Sequence, residues 1–428
     1  MPRNTVGPAG IAKLVLVAAL AASCASGSDQ STEASLGETV VDTIGDTMVV
    51  RTVGARDEAA ALQLTPEVTI GVVDGAEEYQ FASIDELAAA SDGSMYVWDG
   101  ALGLLRQYDS AGHFVRVIGG QGGGPGEYRS SNGIALLPGG RLALWDAQQA
   151  RVNVYDTSGS FITSWRAASP AMGPRGLDVD SAGGLYLRAP VRDPLFSEAA
   201  SRGEGLLEVD ASTGVPLRFL PTPASGTSPP RISVLGSDGL PIMFRSVPFW
   251  PESRWAWSPH GHFLTATGDR YAVVLDRKQA PMRIERDVDP VPLDADERRN
   301  VEERVIASFR RRDPGWTWSG PRIPEHKPVV RGLLAGADGR IWVRRWLPGE
   351  RIPEAEIMSA QEGSVPPLRW RDPEGFDVFE PDGAFVGFVL LPPRTTILKA
   401  RGDRIWAAVR DSLDVPGVVR FRISRPER

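Results

Sequence analysis

"PGGRLALWD", residues 138–146, is a tight turn that runs into an alternating apolar strand and closes on an acid. The same figure recurs as "SDGSMYVWD" from Ser91, "SAGGLYLRA" from Ser181, "SPHGHFLTA" from Ser258, "ADGRIWVRR" from Ala337 and "RGDRIWAAV" from Arg401. Glycine beside Pro, Ser, His or Asp punctuates the turns, and the two-residue alternation that follows is the mark of a β-strand. A repeat of this kind fixes architecture before any single motif does, because each unit buries its faces only against its neighbours.

The flanks extend each unit in both directions. A short apolar strand precedes each turn, as in "GIALL" from Gly133 and "GLLAG" from Gly332, and an outer hairpin follows, as in "RVNVYDTSGSFITSW" and "FDVFEPDGAFVGFVL". Four strands per unit and six units predict an all-β fold, a six-bladed β-propeller with four-stranded antiparallel blades. The sixth unit runs "TILKARGDRIWAAVRD" to "VVRFRIS" and reaches the end of the sequence one strand short. "PEVTIGVV", Pro66 to Val73, has no partner of its own. It is therefore expected to close the ring by pairing with the last unit, which also protects a sheet edge. The propeller is placed at residues 66–428, and residues 38–65, with "TVVDTIGDTMVVRTVG", form an extra hairpin packed on the ring.

Strand order puts the crossings between blades on one face, together with the loops between second and third strands. The long insertions, 189–205, 221–251, 294–328 and 345–375, all fall there. One of them, "DADERRNVEERVIASFRRR", is predicted to be a helix capped by Asp294 or Asp296, with Val301, Val305 and Phe309 on one face.

The chain has 428 residues, 42% of them hydrophobic, and a net charge of −7. With a pI near 5.4 it has no overall attraction for polyphosphate, which excludes nucleic acid as the main partner. Arg3 and Lys13 precede the apolar run "LVLVAALAA", which reads as an export signal over residues 1–24, too short to span a bilayer as a mature helix. It ends at "LAASC", and Cys24 is the only cysteine, so neither an internal disulfide nor a multi-cysteine metal site is available. Residues 25–37, "ASGSDQSTEASLG", have the composition of a flexible tether.

Two resemblances follow from these stretches. "LAASC" resembles the bacterial lipobox, with Ala21 where that motif usually carries Leu, and implies that Cys24 is acylated and holds the protein on a membrane of the cell envelope, at the periplasm or cell surface. "GGPGEY" followed by "NGIALLPGGRLALWDAQQARVNVYDTSGSFI", Asn132 to Ile162, resembles the repeat of NHL-type propellers. More broadly, residues 66–424 resemble bacterial six-bladed propeller lipoproteins. That resemblance implies a fold and an exported setting, since propellers host unrelated activities. Some six-bladed relatives are calcium-dependent lactonases or lyases, but their ligand sets do not map onto this chain.

The glycine-rich "IGGQGGGPGEYRS", Ile118 to Ser130, lacks the Lys and Ser/Thr of a phosphate loop and leads into a strand, so it is read as a blade crossing anchored by Tyr128. His260 and His262 form an H-x-H pair without a third ligand. Asp99 and Asp146 are read as turn-capping carboxylates. The positions just before each innermost strand are polar in every unit: Asp85, Asn132, Arg175, Ser253, Arg331 and Thr395, with Glu86 and Arg254 one position later. They are expected to ring the channel mouth, where Arg175, Arg254 and Arg331 would clamp a carboxylate or phosphate. Trp316 and Trp318, in "DPGWTWSGPR", are expected above them.

No nucleophile elbow or other catalytic constellation appears. The expected function is a ligand- or protein-binding or scaffolding module, its partner a small anionic ligand, a glycan or a protein, with no cofactor required by the sequence. The alternative is a metal-dependent lactonase- or lyase-like enzyme with Ca2+ held in the central channel by scattered Asp, Asn and Glu.

Overall fold

Each turn-and-strand unit becomes the first two strands of an antiparallel sheet, and there are six such sheets. The computed structural model describes residues 36–167, 176–190, 204–223, 226–278, 280–357 and 365–426. Cys24, the residues read as an export signal, most of those read as a tether, Arg175 and parts of the insertions at 189–205, 221–251 and 345–375 lie outside these residues. Blade one is Glu86–Ala89, Met95–Asp99, Leu104–Tyr108 and Phe114–Val117, hydrogen-bonded in that order from the inside out. Blades two and three repeat the order from Ile134–Leu136 and Leu177–Val179. Blades four and five begin at Arg254–Trp257 and Val330–Ala335. The chain is a six-bladed β-propeller.

The core is a ring of layers between blades. Trp98, Leu142, Leu144 and Tyr155 fill the space between blades one and two. Trp145, Trp165, Leu185 and Leu207 do so between two and three, and Tyr186, Leu206, Trp257 and Phe263 between three and four. Blades four and five meet through Val273, Ile284, Ile341 and Phe379. Trp342, Phe376, Ile405 and Phe421 join five to six, and Met95, Trp406 and Val418 join six to one. The alternating apolar residues of each strand thus serve both blade faces, which is why the repeat reads as nearly continuous hydrophobicity.

Blade six is completed from the other end of the chain. Ala61–Ile70 pairs antiparallel with Pro416–Ser424, from Gln63 opposite Ser424 to Ile70 opposite Val418. The register slips between Pro66 and Val68, where proline cannot donate to the ladder. The closing strand begins earlier than expected and stops at Ile70, since Gly71 takes φ +133 against the Gly417 backbone. Its first residues, Ala61 and Leu62, also pair in parallel with Phe388 and Val389 of blade five. The hairpin Glu38–Ile44 and Thr47–Val53 extends blade four edge-on, Met48–Thr52 running parallel to Met282–Arg286.

Glu67 fastens the closing strand electrostatically. Its carboxylate accepts from Arg404 Nε at 2.9 Å, Arg420 Nε at 3.0 Å and Arg422 Nε at 2.8 Å. Burial works to raise the Glu67 carboxyl, but Arg404 and Arg420 outweigh it and hold the group below its usual range. A carboxylate with a lowered native pKa stabilises the fold above its unfolded value, and that contribution disappears as pH falls through the native value. Glu67→Gln is expected to cost about 1 kcal/mol at neutral pH, and the gap to the parent should close below about pH 4. Urea melts of both proteins across that range measure it.

The helix α1, Ala295–Arg310, lies in the crossing from blade four to blade five. Asp294 caps it, accepting from Asp296 N at 2.7 Å and Glu297 N at 3.3 Å. Val305 and Phe309 enter a small separate core with Ile232, Val234, Val247, Leu293, Trp316 and Ile323. Insertions before blades four and five therefore build one cap between them.

Candidate functional site

The glycine-rich crossing is spent on structure. Tyr128 is fully buried, its hydroxyl donating to Ile118 O at 2.8 Å and accepting from Leu105 N at 3.1 Å. A Cβ on Gly119 (φ +67) would stand 2.6 Å from Gly126 O and 2.7 Å from the Tyr128 ring, so glycine is required at this close approach. The Glu127 carboxylate takes the Gly124 N–H at 2.7 Å, and Arg151 binds the carbonyls of Gly123, Gly124 and Glu127. A loop whose amide is met by its own carboxylate, and whose carbonyls face a guanidinium, does not receive a phosphate.

Asp99 and Asp146, both fully buried, pin the crossings onto the ring. Asp99 accepts from Ala82 N, Ser83 N and Leu102 N at 2.9–3.1 Å. Asp146 accepts from Arg129 N at 2.8 Å, Ser130 Oγ at 3.0 Å and Gln149 N at 3.2 Å. His260 and His262 stack at 6.4 Å in the turn between the first two strands of blade four, on the opposite face, and burial lowers the His262 imidazole pKa.

Among the described residues, the equivalent positions at the channel mouth divide. Ser253 Oγ accepts from Thr227 N at 3.1 Å, and Thr395 is 3% exposed, so both are used within the fold. Arg254 is paired with Glu252 at 2.7 Å. Arg331 stands 3.2 Å from Glu374, which is also bound by Arg344, and lies over the Trp346 ring at 4.4 Å. Burial, then the like charges of Arg344 and Arg254, lower the Arg331 pKa. Trp316 is 6% exposed, stacks on Phe309 at 4.5 Å and donates from Nε1 to Ser233 O at 2.9 Å. Trp318 Nε1 donates to Pro321 O at 3.0 Å. These two rings, expected over the mouth, are held in and beside the cap's own core instead.

Asp85 and Asn132 remain at the mouth. They line a chamber of about 320 Å³ together with Glu86, Asp178, Arg188 and Lys399. Neither Asp85 nor Asn132 nor Lys399 makes a side-chain hydrogen bond or ion pair to another residue among the described ones, although they come from blades one, two and six. Arg188 is fixed by Asp178 at 2.9 Å and lies 4.7 Å over the Trp255 ring. Gly176 makes room for it, since a Cβ there would fall 2.5 Å from Arg188 Cδ. Below, the chamber continues into a channel of about 450 Å³ between the innermost strands, reaching Asp180, Trp257 and Arg401. Beside the mouth, a groove of about 630 Å³ shares Asp85 and runs past Arg371, Glu374, Arg394 and Arg410.

Lys399, Arg188 and Asp178 are not among the sequence-predicted candidates, because they lie within strands and not just before an innermost one. The signal was "ILKAR", a lysine and an arginine within an innermost strand, where a register slip between Ile397 and Lys399 exposes both to the channel.

The cap is bolted to the ring by a buried lysine. Lys327 lies 2.6 Å from Glu297 of α1 and 2.6 Å from Asp372 of the blade-five insertion. Asn300 binds Pro367 O at 3.2 Å and Arg369 N at 3.0 Å. The lining of the mouth chamber includes no residue of the cap.

Residues 74–169 match the model of the family described as a 6-bladed beta-propeller (DUF5128). This stretch holds blades one and two, where the repeat is most regular. No curated protein matches the chain. A putative exported protein from Bacteroides fragilis is 9% identical over 88% of this chain and 100% of its own, with a TM-score of 0.47. A member of the duf4221 family from Bacteroides vulgatus is 9% identical over 86% and 99%, with a TM-score of 0.49. A catalytically inactive virginiamycin B lyase from Staphylococcus aureus, with quinupristin, is 10% identical over 84% and 99%, at 0.37. Likeness at this level carries no activity to this chain.

Proposed function

We propose that this protein is an envelope-displayed binding protein whose ligand, an acidic sugar or comparable hydroxy-carboxylate, sits at the channel mouth. One observation carries the reading: Asp85, Asn132 and Lys399, from three blades, converge on one chamber and spend no side-chain hydrogen bond on the described fold. Lys399 supplies a cation for a carboxylate, Asp85 accepts from hydroxyls, and Asn132 does either. The Asp178–Arg188 pair and Trp255 form a rigid wall, and a pre-formed concave site with a few polar groups is the usual form of a small-ligand pocket. Export through residues 1–24 and acylation at Cys24 supply the setting.

Glucuronate and galacturonate, titrated calorimetrically, are the first probes. Lys399→Ala and Asp85→Asn are each expected to weaken binding about tenfold, the scale of one charge-assisted hydrogen bond, with the melting temperature unchanged. Equal binding by both folded variants would move the site away from the mouth.

A further inference from the structure

Four large apolar side chains stand in solvent on a single hairpin. Arg231–Leu235 pairs with Pro241–Ser246, and the turn between them is closed at Asp238 and Gly239. One face of this hairpin enters the cap core through Ile232, Val234 and Met243. On the rest, Leu235 is 60% exposed, Leu240 64%, Ile242 62% and Phe244 55%. The chain could have placed polar residues here at no cost to the fold, and contiguous exposed apolar surface of this kind marks an interaction site.

The charge around the patch says what covers it. Arg231 lies 4.8 Å over the Phe244 ring, and Arg245, the next residue after Phe244, is exposed on the hairpin's other face, opposite Ile232. Arg304 of α1 is close enough to Arg245 for the like charge to add to burial in lowering its pKa. Within the hairpin the only acid is Asp238, whose carboxylate is occupied by Leu240 N at 3.0 Å. This basic surround belongs to a chain whose net charge is −7, so the surplus is local. Exposed aliphatic and aromatic side chains on a hairpin that also carries arginines and only one acid are the composition of an element that lies in the interface of an anionic bilayer.

We propose that the hairpin 231–246 docks onto an anionic lipid surface, its Leu235, Leu240, Ile242 and Phe244 entering the headgroup boundary and Arg231 and Arg245 meeting lipid phosphates. The hairpin stands in the crossing from blade three to blade four, so docking turns the face that carries the channel mouth toward the bilayer. The twelve residues from Ala25 to Leu36 span roughly 40 Å when extended, so an anchor at Cys24 would keep the hairpin within reach of the same surface. The docking itself does not depend on that anchor, nor on the ligand proposed for the mouth.

The test uses a chain begun at Ala25, which keeps every described residue and lacks both the export segment and Cys24. It is sedimented with phosphatidylethanolamine vesicles containing or lacking phosphatidylglycerol. The expected result is binding that requires the anionic lipid, weakens with added salt, and falls at least tenfold in Leu240→Ser/Ile242→Ser/Phe244→Ser. Arg231→Glu/Arg245→Glu, which leaves the apolar residues in place, should lose binding comparably, and both variants should keep the parent's circular dichroism spectrum. Absence of binding by the parent, or undiminished binding by both folded variants, overturns the proposal. So does a parent that ignores vesicles but forms a dimer which the triple substitution dissolves, because the patch would then belong to a second copy.

Discussion

A chain begun at Gly75 is expected not to fold cooperatively, whereas one begun at Leu36 should melt as the parent does. The difference lies in residues 36–74, chiefly Ala61–Ile70, which supplies the fourth strand of blade six. Without it, Pro416–Ser424 becomes a bare edge at the seam of the ring. Ile70, 1% exposed, leaves the layer between blades six and one, and Leu62 and Leu64 leave the layer between five and six. Arg404, Arg420 and Arg422 lose their shared carboxylate, Glu67. Burial of Ile70 at about 1.5–3 kcal/mol, with a share of that from each of the half-buried Leu62 and Leu64, is a large part of the roughly 5–15 kcal/mol of a typical domain. A chain begun at Ala59, which keeps the closing strand but lacks the hairpin on blade four and Asp57, should fall between the two. Calorimetric melts of the three chains separate the contributions, and equal melting temperatures for the chains begun at Leu36 and Gly75 would rule the closure out as a source of stability.

The second large effect is expected at Asp377, in the third strand of blade five. Asp377 is fully buried and accepts from Tyr271 Oη at 2.6 Å and Arg286 Nη1 at 2.6 Å, with Arg345 Nη1 at 3.5 Å. Both arginines also bind Asp57, Arg286 at 2.7 Å and Arg345 at 2.7 Å, which ties the segment before the closing strand to blades four and five. Burial raises the Asp377 carboxyl pKa while Arg345 and Arg286 oppose the rise, and burial holds the Tyr271 phenol well above its ordinary value. Asp377→Ala leaves two guanidinium groups, 2% and 7% exposed, with Asp57 as their remaining shared carboxylate and the buried Tyr271 hydroxyl without its acceptor. Removing one partner of a buried charge network costs about 3–5 kcal/mol, and urea denaturation should show a loss of that size. A loss under about 1 kcal/mol would mean that Asp57 alone satisfies both arginines.

The ring was legible in the amino-acid sequence. Each turn and its alternating strand is a local instruction, and six copies leave one architecture that buries both faces of every sheet. The unmatched strand before blade one and the strand missing after "VVRFRIS" could be paired on paper because backbone pairing needs only two edges. The helix was legible for the same reason: its cap, Asp294, and its apolar face lie within a few turns of each other.

The fate of the polar residues depended on contacts that form only in the closed ring. Thr395 and Ser253 occupy the same repeat position as Asp85 and Asn132, yet the first is buried and the second holds Thr227, a partner 26 residues away. Arg254 and Arg331 carry charges that Glu252 and Glu374 neutralise, and Trp316 finds Phe309 and Ser233 rather than the channel. Lys399 was hidden inside a strand that a register slip turns toward the chamber. Arg286, Arg345, Asp57 and Asp377 come from segments up to 320 residues apart. Strand formation follows from neighbours in sequence, but whether a charge is spent or free depends on which groups the closed ring brings within hydrogen-bond reach, and no local pattern encodes that.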